Sequence, residues 1–240
     1  MMRRRALAAW SAATAIGLGV IAGAQTKPMT IEEMHRLHQD SAAYIKMLED
    51  PARDAYQKPH EVMMALGFKD GERIADIGAG AGYFSLRFAS HVGAAGRVYA
   101  VDINPAMIIH LNERIRQAGL DNVRTILALP DDPLLPDASV DRFFICETWH
   151  HIEDHVHYLD LMKKMLKPGG QVVVIDFQKK PLPVGPPDEM KVSRDDVVRE
   201  FQQHGYRLAS EPDILPYQYF LVFQASPARD QERGRMSSIR

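Results

Sequence analysis

The chain has 240 residues, a formal net charge of −2 and one cysteine, Cys146. That length suits a single α/β domain with a large core. One cysteine excludes an intramolecular disulfide and a structural zinc site built on several thiolates. The near-neutral charge and scattered basic residues argue against a nucleic-acid substrate, which calls for a basic patch.

Residues 1–24 read as a targeting segment rather than as part of the fold. Arg3, Arg4 and Arg5 form a basic start, residues 6–23 an uncharged apolar run, and Ala22-Gly23-Ala24 a small-x-small cleavage pattern before Gln25. The run approaches the length of a membrane span, but its many Ala and Gly residues make it only mildly hydrophobic, so cleavage is expected over anchoring. The protein is therefore expected to be exported, periplasmic or secreted. Arg3-Arg4 is also a partial match to a twin-arginine signal, which would carry the protein out already folded; general secretion is the alternative.

Residues 25–66 form a helical extension. Ile31, Met34, Leu37, Ile45 and Leu48 recur at helical spacing, with Thr30 as N-cap, Glu33 at the capping-box position and a break near Asp40-Ser41. A second helix, His60 to Leu66, is stopped by Gly67. Between them, Tyr56 and Gln57 are candidates for a lid over a ligand, with packing on a sheet edge as the alternative.

The centre of the chain is Ile74-Ala75-Asp76-Ile77-Gly78-Ala79-Gly80-Ala81-Gly82-Tyr83. A buried strand runs into a glycine turn and a helix start, which is a nucleotide-binding device. The dinucleotide fingerprint G-x-G-x-x-G/A fits poorly, because its last small residue falls on Tyr83. An acid closing the strand suits a cationic ligand better than a pyrophosphate. Asp76, Gly78, Gly80 and Gly82 resemble the first motif of class I S-adenosylmethionine-dependent methyltransferases.

The next strand, Arg97 to Asp102, ends in an acid about 20 residues beyond the turn, where a carboxylate can accept bonds from both ribose hydroxyls. The resemblance places Ile103 against the adenine ring. Val123 to Leu127 is a third strand. Residues 131–141 are similar to the corresponding stretch of small-molecule methyltransferases related to the quinone C-methylating enzymes. There an acid after the third strand bonds the adenine amino group; here that position is Leu129, so Asp131 or a backbone group is expected to substitute.

The fourth strand, Arg142 to Cys146, leads into Glu147-Thr148-Trp149-His150-His151. Ligands of open α/β sheets lie beyond the carboxyl ends of the strands. Glu147 is therefore placed with the cofactor, and His150 or His151 is a candidate general base. His151 and His155 also have i, i+4 spacing for zinc, but the reading here assigns no metal. Lys167-Pro168-Gly169-Gly170 is a tight turn, again typical of the family, into a fifth strand closed by Asp176, a third catalytic candidate. Residues 178–190 read as a loop over the site, and Ser193 caps a helix to His204. Two final strands, Tyr206 to Ser210 and Tyr217 to Gln224, precede a flexible tail, 225–240.

The resemblance, over residues 74–223, implies an α/β fold: a Rossmann-like, doubly wound, seven-stranded sheet, mostly parallel with an antiparallel last strand, and helices on both faces. It places the S-adenosylmethionine-binding domain at 67–224. It implies methyl transfer to a small-molecule acceptor, without nucleic acid and without a stable membrane span after cleavage. The rivals are an exported, non-catalytic binding protein that kept the fold and a nicotinamide-dependent oxidoreductase.

Overall fold

A computed structural model describes residues 29–226. The expected targeting segment, its expected cleavage site and the expected tail from residue 227 lie outside the described residues. Helix α1 (Ile31–Gln39) starts with the expected capping box, in which Thr30 and Glu33 exchange side chain-to-backbone bonds. Asp40 ends α1 and caps α2 (Ser41–Leu48), its carboxylate accepting from Ala43 N at 3.0 Å. A short turn, Pro51–Arg53, runs into α3 (Asp54–Gln57) and α4 (Pro59–Leu66), which Gly67 closes at φ +54°.

The alternation of strands and helices then builds one sheet. Its strands are β1 (Arg73–Ile77), β2 (Arg97–Asp102), β3 (Val123–Leu127), β4 (Val140–Cys146), β5 (Leu166–Phe177), β6 (Tyr206–Ser210) and β7 (Gln218–Ala225). They lie in the order β3-β2-β1-β4-β5-β7-β6, parallel from β3 to β5, with β7 antiparallel to both its neighbours. Helices α5 (Ser85–His91), α6 (Pro105–Gln117), α7 (His155–Met165) and α8 (Arg194–Gln203) complete the fold.

Because side chains alternate across a strand, β4 sends Phe143 and Ile145 into one core with Leu159, Met162 and Phe201, and Phe144 into the other with Val62 and Phe88. Continuous burial of β1 after Arg73 fits a central strand covered on both faces. The order reverses at β1, with β2 on one side and β4 on the other, and the crevice at a sheet's carboxyl edge opens at such a point.

Three local expectations shift. Lys167 to Gly170 is an irregularity inside β5, where pairing jumps from Val140↔Leu166 to Arg142↔Gln171, because Gly169 at φ +80° lets extra residues loop out of register. Helix α7 starts at His155, three residues before the Tyr158 that the sequence's apolar spacing predicts as its start, because Asp154 caps it. Ala225 still belongs to β7 and Ser226 N donates to Gly205 O, so the sheet takes the first two residues of the expected tail. Among the described residues no helix is long and apolar enough to cross a membrane.

Candidate active site

A cavity of about 470 Å³ opens at the carboxyl ends of β1, β2 and β4, beneath the helical extension and residues 185–190. Asp76, Gly78, Gly80, Asp102, Ile103, Glu147, His150 and His151 line it. A smaller annex of about 90 Å³ shares Gly78, Asp102, Ile103 and His151, and adds Ala128, Leu129 and Pro130.

The glycine turn is built for close approach. Gly78 N and Ala79 N both donate to Val101 O, at 2.9 and 3.0 Å, which ties the turn to β2. Gly78 sits at φ +71°, and a Cβ there would lie 2.2 Å from Thr148 Oγ1. Gly78→Ala is therefore expected to cost about 2–4 kcal/mol of stability, combining overpacking with a left-handed backbone, read as a lower midpoint in chemical denaturation. Gly82 is not among the cavity-lining residues. A Cβ on it would meet Leu111 Cδ1 at 2.3 Å, so its bareness lets α6 pack close.

Two carboxylates flank the turn. Asp76 is 3% exposed, and Ser85 Oγ donates to it at 2.5 Å. Burial lifts its pKa to about 7; Asp102 adds to the rise, and the Ser85 hydrogen bond opposes it. Asp102 Oδ2 accepts from Gly80 N at 2.8 Å and Oδ1 from Asn104 N at 2.9 Å. Burial raises its pKa too, against those backbone bonds.

Asp131 lies apart from this group. Leu129 and Asp132 exchange backbone bonds across a tight bridge, which leaves Asp131 exposed and outside both cavities, while Leu129 and Pro130 wall the annex. The expected substitution of Asp131 for the missing acid is thus corrected: an apolar wall stands where an acid was sought.

Beyond β4 the backbone turns sharply at Glu147, φ +54°, a left-handed conformation unusual for a glutamate. Its carboxylate accepts from Gln57 Nε2 at 2.6 Å and Gln218 Nε2 at 3.2 Å, and pairs with Arg53 at 3.4 Å. Burial raises the Glu147 pKa while Arg53 pulls the other way. Arg53 escapes sequence reasoning, since its partner is 94 positions away. Its guanidinium lies 4.6 Å from the Tyr83 ring centroid and that of Arg87 lies 4.1 Å away, while Tyr83 Oη donates to Asp54. This clamp fastens the extension over the glycine turn.

His150 and Asp176 come together as a buried pair, Nδ1 lying 2.8 Å from Oδ2 and 3.1 Å from Oδ1. The carboxylate assigns the proton to Nδ1 and leaves Nε2 as the basic nitrogen. Burial depresses the His150 pKa, but the charge and hydrogen bond of Asp176 outweigh it, and the net shift is upward. Asp176 backs the wall without lining it. His151 lies at the cavity rim, exposed on one side and packed on the other against His150, with ring centroids 4.2 Å apart.

His155 stands apart from His151's cavity. Its Nδ1 lies 2.8 Å from Glu200 and its Nε2 3.0 Å from Trp149 O, so both nitrogens face acceptors. Glu200 also accepts from Trp149 Nε1 at 3.3 Å, pinning the turn that bears His150 to α8. Desolvation opposes the charged ring, yet Glu200 and the carbonyls raise the His155 pKa. This stabilisation is complete below the unfolded histidine value and fades as pH rises through the folded one. The melting-temperature gap between wild type and Glu200→Gln is expected to narrow from about pH 6 to about pH 9. Among the described residues no group of three or more His, Cys, Asp or Glu side chains is arranged to hold a metal ion.

Comparison with known proteins gives a consistent picture. A family profile described as a methyltransferase domain matches residues 68–209. The structure of a SAM-dependent methyltransferase from Aquifex aeolicus is 29% identical, with a TM-score of 0.73, covering 77% of this chain and 98% of that one. A putative type 11 methyltransferase from Sulfolobus solfataricus is 26% identical with a TM-score of 0.54, covering 65% and 86%. The ubiquinone/menaquinone biosynthesis C-methyltransferase of Idiomarina loihiensis is 32% identical over 114 residues, 47% of this chain and 45% of that protein. The chain thus spans about half the length of the curated relatives it matches.

Proposed function

The chain belongs to the methyltransferase-domain family, and from that premise we propose that it transfers a methyl group from S-adenosylmethionine to a small-molecule acceptor. The observation that carries this reading is the bare glycine turn held between two carboxylates, buried Asp76 and half-buried Asp102, on one cavity wall. A Cβ at Gly78 would strike Thr148 on the cavity wall, so the turn admits no side chain, and the acids suit a ligand that carries an ammonium group and a sulfonium. That cofactor supplies an activated methyl group on a sulfonium sulfur.

The remaining roles belong to the chain. Asp102 holds the ribose hydroxyls, and Asp76 and the glycine backbone face the amino-acid end. Ile103 with the annex wall Leu129-Pro130 encloses the base. Glu147, fixed by Arg53, Gln57 and Gln218, shapes the floor beyond β4. His150, oriented by Asp176, takes the proton from an acidic acceptor, and the extension excludes water.

Two further parts of the proposal rest on sequence. The partial likeness to a ubiquinone/menaquinone biosynthesis C-methyltransferase supports a small-molecule acceptor. The segment 1–24 supports export, and its replacement by Arg3→Lys with Arg4→Lys tests the twin-arginine route: unchanged export rejects that route.

Calorimetry with S-adenosylhomocysteine and with NAD tests the whole. S-adenosylhomocysteine is expected to bind and NAD not to. NAD binding instead returns the nicotinamide reading, and binding of neither ligand leaves the non-catalytic one. Affinity is also expected to rise with pH through about 7, because only ionised Asp76 attracts the ammonium group of the amino-acid end.

A further inference from the structure

Three imidazoles meet at the cavity. His38 comes from the last turn of α1, and His150 and His151 from the turn after β4. The His151 ring centroid lies 5.2 Å from that of His38 and 4.2 Å from that of His150. Only His150 has a carboxylate partner, Asp176. The rings of His38 and His151 have no hydrogen-bond partner among the described residues, so their donors and acceptors are unspent beside the cavity. We propose that these two histidines receive a carboxylate on the methyl acceptor, which makes the acceptor an organic acid with a flat apolar body. This rests on the methyl-transfer reading and names the substrate class for the same site.

The nearest electrostatic neighbours of these two rings are other imidazoles more than carboxylates. His38 faces His35, His150 and His151, and His151 faces His150, His38 and, more weakly, Asp176. Loss of water and then the neighbouring imidazoles hold both below the ordinary histidine value, so each is neutral near pH 7. A neutral imidazole offers one N–H donor and one nitrogen able to take up a proton. A carboxylate placed against the two reverses the repulsion that keeps them neutral, and draws a proton onto one of them. A neutral acceptor gives no such return. Of the carboxylates at the cavity, Glu147 and Asp176 are already paired, with Arg53 and His150, while Asp76 and Asp102 lie at the glycine turn, engaged by Ser85 and by the Gly80 and Asn104 amides. Tyr44, Tyr56, Phe177, Met34 and Met190 supply the apolar walls for a flat body.

The test uses the full described chain saturated with S-adenosylhomocysteine, titrated in a calorimeter with 4-hydroxybenzoate and with its neutral isostere 4-hydroxybenzamide. Each titration is run in two buffers of different ionisation enthalpy, which reads proton uptake. The acid is expected to bind at least about tenfold more tightly than the amide, a gap of about 1.4 kcal/mol, with net proton uptake near pH 7. Joint His38→Gln and His151→Gln replacement is expected to remove both the preference and the uptake, with melting temperature as the check on folding. Equal affinity for acid and amide, absence of proton uptake, or failure of the wild type to bind the acid overturns the inference. The outcomes separate from those of the parent reading: lack of S-adenosylhomocysteine binding sinks methyl transfer itself, whereas its binding without acid preference sinks only the acceptor class.

Discussion

Replacing Asp102 with alanine is expected to weaken S-adenosylhomocysteine binding by roughly a hundredfold or more. Each ribose hydroxyl bond to a charged carboxylate is worth about 1.5–3 kcal/mol, and two are lost together. The change also frees Gly80 N and Asn104 N, which the carboxylate now engages. Folding and binding nevertheless respond differently. The unfolded protein hydrates the carboxylate freely, whereas burial penalises its charge in the fold, so its removal also relieves a cost. The expected loss of melting temperature is therefore modest beside the loss of affinity. Asp102→Asn separates the terms further: it keeps one backbone acceptor but not the charge, so its stability should stay near wild type while affinity still falls at least about tenfold. Calorimetry of the three proteins, with thermal unfolding alongside, checks this. Wild-type affinity in Asp102→Ala would remove Asp102 from the cofactor site.

That residue was legible in the sequence for a physical reason. Parallel strands end on one rim, so Asp76 near the end of β1 and Asp102 closing β2 arrive at the same rim, two residues apart in register, whatever packs above them. Helix ends were legible on the same grounds: Thr30, Asp40 and Gly67 act within one turn of themselves. Features set by docking were not legible. Arg53 reaches Glu147 and Tyr83 only because α2 anchors on α6, where Glu49 pairs with His110 at 2.8 Å and Arg114 at 3.2 Å. His38 joins the site through the same docking, and nothing in its local spacing marks it. Asp131 misled because composition cannot show that a two-residue bridge ties Leu129 to Asp132 and turns the acid outward. His150 and Asp176 were singled out separately; only the register of β4 against β5, Cys146 beside Ile175, makes them a pair.

The pair yields the second large effect. Asp176→Asn is expected to lower methyl transfer by roughly 10²–10⁴-fold, the usual worth of general acid–base catalysis. The cofactor should still bind, because Asp176 lies behind the wall rather than in it. The carboxylate has two tasks: it keeps the proton on Nδ1, so that Nε2 is free to accept one, and it stabilises the imidazolium formed on acceptance. An asparagine oxygen can do the first and not the second. The pH profile gives the sharper sign. A base works only when neutral, so the rate should rise with pH through the His150 pKa, which Asp176 holds above the ordinary value. Without that charge only the weaker pull of Glu147 opposes the burial penalty, and the rising limb moves to lower pH even as the plateau falls. Measuring both against an acceptor drawn from a labelled-methyl screen distinguishes this from a structural defect, which lowers the plateau without moving the limb. A limb that stays put in Asp176→Asn would show that a group other than His150 takes the proton, or that the acceptor needs none removed.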